Sequence, residues 1–315
     1  MEKDLISIII PCFNEEEMVP IFYQAMIAVM EELNQCDVEL IFINDGSTDN
    51  TLDQMRSLAQ VDWRVHYLSF SRNFGKEAAM YAGLKHAKGD FVAVMDVDLQ
   101  DPPNLLPTMY RTLKNSDYDC VGTKRVDRQG EPVIRSFFAK GFYKLINRIS
   151  DNHIVDGARD YRLMTRQMVD AVLELTEYNR FSKGIFTWVG FETKYIEYSN
   201  IERPAGKTSW SFWGLMKYSF DGIVAFSAVP LAIASFIGFI AFVVAVLLAL
   251  FFTIRTLLFG NATSGWTSLI VMILGMGGLQ LLCLGILGKY LGQTFLETKK
   301  RPIYILKETD NDCNQ

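Results

Sequence analysis

Short apolar runs and amphipathic stretches alternate along roughly the N-terminal two-thirds of the chain. Leu5–Pro11, Val38–Asn44, Arg64–Phe70, Asp90–Asp96 and Tyr118–Thr123 each read as a strand. Helical spacing occupies about Glu16 to Leu33 and Lys76–Ala87, and Ser47-Thr48-Asp49 reads as the cap of another helix. The alternation predicts an α/β fold, a mostly parallel sheet with helices on both faces. Ligands of such sheets sit outside the carboxyl ends of the strands. Three polar clusters fall at those ends: Pro11-Cys12-Phe13-Asn14-Glu15, Asn44-Asp45-Gly46-Ser47 and Asp96-Val97-Asp98-Leu99-Gln100.

Beyond residue 221 the pattern changes kind. An uncharged stretch of 33 residues separates Asp221 from Arg255, and another 33 separate Arg255 from Lys289. About 20 apolar residues cross the hydrocarbon core of a bilayer, so spans are expected near 229–252 and 267–289. Buried soluble helices are the alternative; runs this long with no polar face argue against it. Gly275, Gly277, Gly278, Gly285 and Gly288 suit close helix packing in the second span. Before the first span, Trp210, Trp213, Met216 and Phe220 share a helical face. That face fits a helix at headgroup depth or one packed on the α/β domain. The expected organisation is a cytosolic α/β domain over 1–205 and amphipathic interfacial helices over 206–227. Two transmembrane helices with a short external connector follow over 228–290, then a cytosolic tail over 291–315.

Net charge is −5, but the flanks of the apolar region are locally basic: Arg203, Lys207 and Lys217 before it, Lys289, Lys299, Lys300, Arg301 and Lys307 after it. By the positive-inside rule both termini lie in the cytoplasm. The polar opening Met1-Glu2-Lys3-Asp4 is no secretory signal. Five scattered cysteines form no CxxC or Cys/His cluster, so neither a zinc site nor a disulfide framework is indicated. No nucleic-acid partner is expected.

Asp96 and Asp98 flank one non-ionising residue at the end of an apolar strand, and positions i and i+2 point the same way there. Paired carboxylates repel unless a cation sits between them or one is protonated. Oxygen donors of this kind suit Mg²⁺ or Mn²⁺, and Gln100 could add a carbonyl. A solvated acidic turn is the plainer alternative, disfavoured by the preceding apolar strand. Asp45-Gly46-Ser47 reads either as a turn with a helix cap or, with Glu15, as a grip on a base or ribose.

These clusters resemble the signature of family-2 glycosyltransferases with the GT-A fold. Ser7–Glu15, Asn44–Asp49 and Asp96–Pro103 carry the likeness, joined by Arg72-Asn73-Phe74-Gly75-Lys76-Glu77, Asp160–Met164, Phe181-Ser182-Lys183-Gly184 and Arg203–Trp210. More narrowly, the chain is similar to polyisoprenyl-phosphate glycosyltransferases. The resemblance implies that Pro11, Phe13, Glu15 and Asp45 hold the uridine of a UDP-sugar, with Asp96 beside the nucleotide. It implies that Asp98 and Gln100 bind the metal, and that Asp160 and Arg162 join Asp98 in catalysis. Arg203 and Lys207 would close over the donor diphosphate. Arg125, Arg128 and Arg135, in a loop that aligns only loosely, are candidates for the acceptor phosphate. Asn44 departs from the Asp of many relatives, with little effect expected while Asp45 is kept.

The implied reaction moves a hexose, glucose or N-acetylglucosamine, from a UDP-sugar to undecaprenyl phosphate at the cytoplasmic face of a bacterial membrane. It inverts the anomeric centre and yields a lipid-linked sugar for cell-envelope glycosylation. The nucleophile is a phosphate oxygen with a second pKa of about 6, so a general base is less needed than for an alcohol. Asp160 is left either as an orienting group or as a proton acceptor. Homo-oligomerisation through the spans, a tetramer as in relatives, and a separate flippase complete the expected partners. Transfer to another membrane lipid is a competing reading. A processive polysaccharide synthase is another, opposed by the absence of QxxRW.

Overall fold

The computed structural model describes residues 3–126, 155, 157–198, 227, 229–259 and 266–310. Two compact units emerge: residues 1–219 together with 302–315, and residues 220–301.

The first unit is built on eight strands: β1 (Asp4–Cys12), β2 (Cys36–Asn44), β3 (Val65–Phe70), β4 (Phe91–Val94), β5 (Cys120–Arg125), β6 (Ala158–Thr165), β7 (Thr193–Tyr198) and β8 (Leu306–Thr309). They form one sheet in the order β7-β5-β6-β4-β1-β2-β3-β8. The pairs β1–β2, β1–β4, β2–β3 and β5–β7 are parallel. The pairs β4–β6, β5–β6 and β3–β8 are antiparallel. The sheet is therefore mostly parallel, as the alternating pattern predicts, with a parallel centre and antiparallel additions on both sides.

A central parallel strand is buried on both faces and so reads as an unbroken apolar run. In β1, Ile6, Ile8, Ile9 and Ile10 are all wholly buried, each contributing about 1.5–3 kcal/mol. On one face α1 (Met18–Glu32) turns Met18, Val19, Phe22, Met26 and Val29 inward. Its Phe22 meets Phe42 of β2 edge to face, ring centres 6.1 Å apart. On the other face α3 (Lys76–His86) lies so close that a Cβ on Gly83 would come within 2.2 Å of Ile9 Cγ2. Among the described residues this unit also holds α2 (Thr51–Val61), α4 (Leu106–Lys114), α5 (Arg166–Glu174), α6 (Ser182–Trp188) and a 3-10 turn over Pro103–Leu105.

The segment read as a tail contains a strand of the sheet. β8 pairs with β3, Tyr304 stacks on Phe70 with ring centres 5.0 Å apart, and Glu308 receives Arg56 Nε at 2.8 Å, Arg56 Nη2 at 2.6 Å and the Tyr67 hydroxyl at 2.7 Å.

The second unit holds α7 (Val229–Phe259, 31 residues) and α8 (Trp266–Thr298, 33 residues). Both are long and apolar enough to cross a membrane, over Val229–Phe252 and Met272–Thr298. Phe236, Leu250, Leu274 and Leu281 are exposed. The Tyr290 hydroxyl donates to Ser227 O at 2.6 Å, and Cys283 Sγ lies 3.7 Å from Ala234 O. Later residues of α8 thus meet earlier residues of the α7 side, the pattern of an antiparallel hairpin. A Cβ at Gly275, Gly277, Gly278, Gly285 or Gly288 would meet nothing within 4 Å; the close packing expected there does not occur between α7 and α8 among the described residues. The expected interfacial helix at 206–227 lies almost wholly outside the described residues.

Candidate active site

The polar clusters converge where the parallel strands end. Asp45 N donates to Cys12 O at 2.9 Å, and Met95 N to Ile9 O at 3.0 Å, so the segments after β1, β2 and β4 leave the sheet side by side. The loops after β1 and β2 are then stitched by side chains. Asn14 N donates to Ser47 Oγ at 2.9 Å, and Thr48 N to Asn14 Oδ1 at 2.8 Å. Glu15 N donates to Thr51 Oγ1 at 2.8 Å. Ser47 and Thr48 therefore tie the two loops together, and it is Asp49 that receives Thr51 N at the start of α2, at 3.1 Å. Asn44 uses both ends of its buried amide: Nδ2 donates to Ser69 Oγ at 3.0 Å and Oδ1 accepts Ser47 N at 3.0 Å.

Asp45 is buried. Its two carboxylate oxygens accept Phe74 N at 2.6 Å and Gly75 N at 2.9 Å. Burial raises its pKa, opposed by those two N–H groups. The geometry is that of an acceptor anchoring the start of α3. Gly46 beside it has φ +66°, and a Cβ there would lie 2.3 Å from the Arg72 carbonyl carbon. Phe13 is 43% exposed at the mouth of the same loop pair, with Pro11 and Glu15 partly buried next to it.

The acidic motif lies in a turn just past β4. Asp98 Oδ1 accepts Gln100 N at 3.2 Å, and Leu99 between them holds φ +55°, a left-handed conformation that costs a non-glycine residue about 1–3 kcal/mol. Asp98 is partly buried; its burial and the charge of Asp96 both push its pKa up. Among the described residues no group of three or more His, Cys, Asp or Glu could hold a metal. Asp98 and Gln100 nevertheless fit Mg²⁺ or Mn²⁺, since such ions take one or two carboxylates and complete their shell with water and substrate phosphates. A cation would relieve the penalty that Asp98 carries.

Lys76 opens α3 and reaches both remaining acidic residues. Its Nζ lies 2.6 Å from Asp96 Oδ1 and 2.6 Å from Asp160 Oδ2. Burial opposes the charge on Lys76, and the carboxylates of Asp160 and Asp96 outweigh it, so its pKa rises. Burial likewise works against ionised Asp160, but Lys76, Lys183 and Arg162 hold its carboxyl well below the usual carboxylate range. The neighbouring Glu77 receives Ser182 N at 3.0 Å and also the Ser182 hydroxyl, tying α3 to α6.

Arg162, expected in catalysis, is 4% exposed. Its guanidinium lies 3.9 Å from the centre of the Phe186 ring and donates to Arg159 O at 3.0 Å. Arg159, which the sequence did not single out, pairs with buried Asp101 at 3.0 Å, and Tyr198 donates to the same carboxylate oxygen. Arg125 ends β5, its N bonded to Gly157 O at 3.1 Å. Arg128, Arg135, Arg203 and Lys207 lie outside the described residues. The structure thus brings Asp96 and Asp160 together on Lys76, keeps Asp98 and Gln100 in the adjacent turn, and places Asp45 behind them.

Lys76 stands in a motif that carried no assigned role. Its partners are 20 and 84 residues away in the chain, and only the sheet brings them together. The signal available was Gly75, a glycine just ahead of a helix whose first residue is a lysine.

Residues 7–173 match glycosyl transferase family 2. The prophage bactoprenol glucosyl transferase homolog of Escherichia coli K12 is 44% identical over 96% of this chain and 98% of that protein. The SfII prophage-derived bactoprenol glucosyl transferase of Shigella flexneri is 43% identical over 96% and 98%. Among solved structures, mannosyl-3-phosphoglycerate synthase from Rubrobacter xylanophilus is similar over 70% of this chain and 72% of that one, with 15% identity and a TM-score of 0.49.

Proposed function

The chain belongs to glycosyl transferase family 2, and on that footing we propose that it transfers glucose from UDP-glucose to undecaprenyl phosphate, with inversion. One observation carries the reading: near full-length relatives of 43–44% identity are named bactoprenol glucosyl transferases. Those names favour glucose over N-acetylglucosamine.

The donor nucleotide enters between the stitched loops after β1 and β2. Phe13 is exposed enough to lie against the base, and Pro11 and Glu15 border it. Asp96 sits on the nucleotide side, held by Lys76. A divalent ion on Asp98 and Gln100, when bound, supplies positive charge for the departing diphosphate. Arg203 and Lys207 add cations from outside the described residues, and Arg125, Arg128 and Arg135 take the acceptor phosphate. Since that phosphate is largely dianionic at neutral pH, attack needs alignment more than proton removal. Asp160, held ionised by Lys76, fits an orienting role.

The membrane reading draws on chain order. Residues before α7 and residues after α8 belong to one folded unit, so a hairpin that spans the bilayer must return the chain to the side it left. The basic flanks make that side the cytoplasm. An acceptor confined to the bilayer explains the anchor, and a separate flippase would carry the product across. Assembly into homo-oligomers is part of the same reading.

The test is to incubate membranes containing the protein with undecaprenyl phosphate and either UDP-glucose or UDP-N-acetylglucosamine, then weigh the lipid product. A hexose added only from UDP-glucose is expected; a product only from the other donor, or from neither, overturns the assignment. Asp98→Ala should lower turnover by roughly 100-fold or more in a protein with unchanged unfolding midpoint, and EDTA should stop transfer until Mg²⁺ or Mn²⁺ is restored.

A further inference from the structure

Three elements meet at one ammonium group. Lys76 comes from the first turn of α3, Asp96 from the turn after β4, and Asp160 from β6. The antiparallel register of β4 and β6 pairs Val94 with Arg162. Continued two residues past that pair, it sets Asp96 opposite Asp160. Two carboxylates so placed repel, and Lys76 Nζ, 2.6 Å from each, separates them.

A lysine ammonium has three donors. Asp96 and Asp160 take two of them and thereby fix the direction of the third. The Lys76 side chain as a whole is 32% accessible. Its anchorage is firm: Asp45 holds the amides of Phe74 and Gly75 immediately before it.

We propose that Lys76 is a catalytic residue that donates to an anionic phosphate oxygen of a substrate, and that Asp160 is a positioning residue acting through Lys76. The inference rests on the phosphate-to-phosphate character of the proposed reaction. Transfer between two anions needs a cation between them, and an ammonium aimed by two carboxylates supplies one without rearrangement. The phosphate belongs either to the donor diphosphate or to the lipid monophosphate.

Binding of UDP and of undecaprenyl phosphate to the full chain in nanodiscs, measured separately, distinguishes the two sources. Lys76→Met should weaken one of these ligands by roughly 10- to 100-fold, the range of a lost charge-assisted hydrogen bond. Lys76→Arg should recover most of that loss. Asp160→Asn should weaken the same ligand in the wild-type background and add little to Lys76→Met. The double variant removes one charge of each sign, so the site keeps its net charge if the single lysine variant fails to fold. Unchanged binding of both ligands by Lys76→Met or by the double variant overturns the proposal, as do losses from the two substitutions that simply multiply. Because these are binding measurements, they stand whether or not glucose is the sugar transferred; a failed UDP-glucose assay with intact Lys76 coupling removes only the donor assignment.

Discussion

Gly75 donates its backbone N–H to Asp45 across 2.9 Å, so the start of α3 is fixed by a side chain 30 residues earlier in the chain. The second oxygen of Asp45 holds Phe74 N at 2.6 Å. Asp45→Ala leaves two N–H groups without this acceptor. Each such loss costs about 1–3 kcal/mol, offset in part by relief of a buried carboxylate. A net loss of about 2 kcal/mol is expected, with Asp45→Asn less severe. Denaturant unfolding of the detergent-solubilised chain reads it, and transfer should fall in step because Lys76 follows directly.

Gly46 presents a harder constraint. Its φ is +66°, and an added Cβ would stand only 2.3 Å from the Arg72 carbonyl carbon, so both the backbone conformation and the space exclude a side chain. Gly46→Ala should destabilise by more than about 2 kcal/mol, because the obstacle is backbone and cannot rotate away. A thermal shift no larger than that of an exposed alanine substitution would contradict this.

Much of this architecture was legible in the sequence. The central strands announced themselves because burial on both faces demands unbroken apolar runs, as in Ile6–Ile10. β6 did not: its sequence ARDYRLMT mixes charged residues that serve the site with apolar ones that pack. β8, LKET, has too little apolar character to be read as a strand, and only its pairing with β3 makes it one. In the site, the acidic residues were visible by type and spacing. What they bind was not, because Lys76 to Asp160 is an 84-residue separation closed by the sheet. Arg162 was expected in catalysis from the resemblance; its place against Phe186 depends on α6, which no pattern announced.

Acid stability should depend on Asp62. This buried carboxylate accepts Arg64 Nη2 at 2.7 Å and the Tyr23 hydroxyl at 2.9 Å. Arg64 foremost holds its pKa down, from 3.8 to about 2. A folded-state pKa below the unfolded one gives stability that is present above pH 3.8 and lost as pH falls through about 2. The gap corresponds to about 2 kcal/mol. Asp62→Asn should remove it at pH 7 and flatten the acid limb of a stability-versus-pH curve between about pH 4 and pH 2.

At the other end of the pH scale stands His66, 2.7 Å from Asp310 with Glu39 at 3.9 Å. Asp310 raises its pKa above 6.5, against burial and the charge of Lys88. This contribution is complete below pH 6.5 and is lost as pH rises through the elevated value. Protection of the β8 amides, taken relative to the base-catalysed intrinsic exchange rate, should therefore fall as pH rises through that value, and His66→Ala should abolish this fall while leaving the Arg56–Glu308 pair intact.

The pairing of β8 with β3 also imposes an order on biogenesis. Until Leu306 has been translated, the edge of β3 has no strand to cover it, and an uncovered edge is a template for unwanted association. The ribosome reaches that residue only after it has made both long apolar helices. Completion of the sheet is thus deferred until both apolar helices exist, and a chain interrupted within the hairpin carries an unfinished sheet.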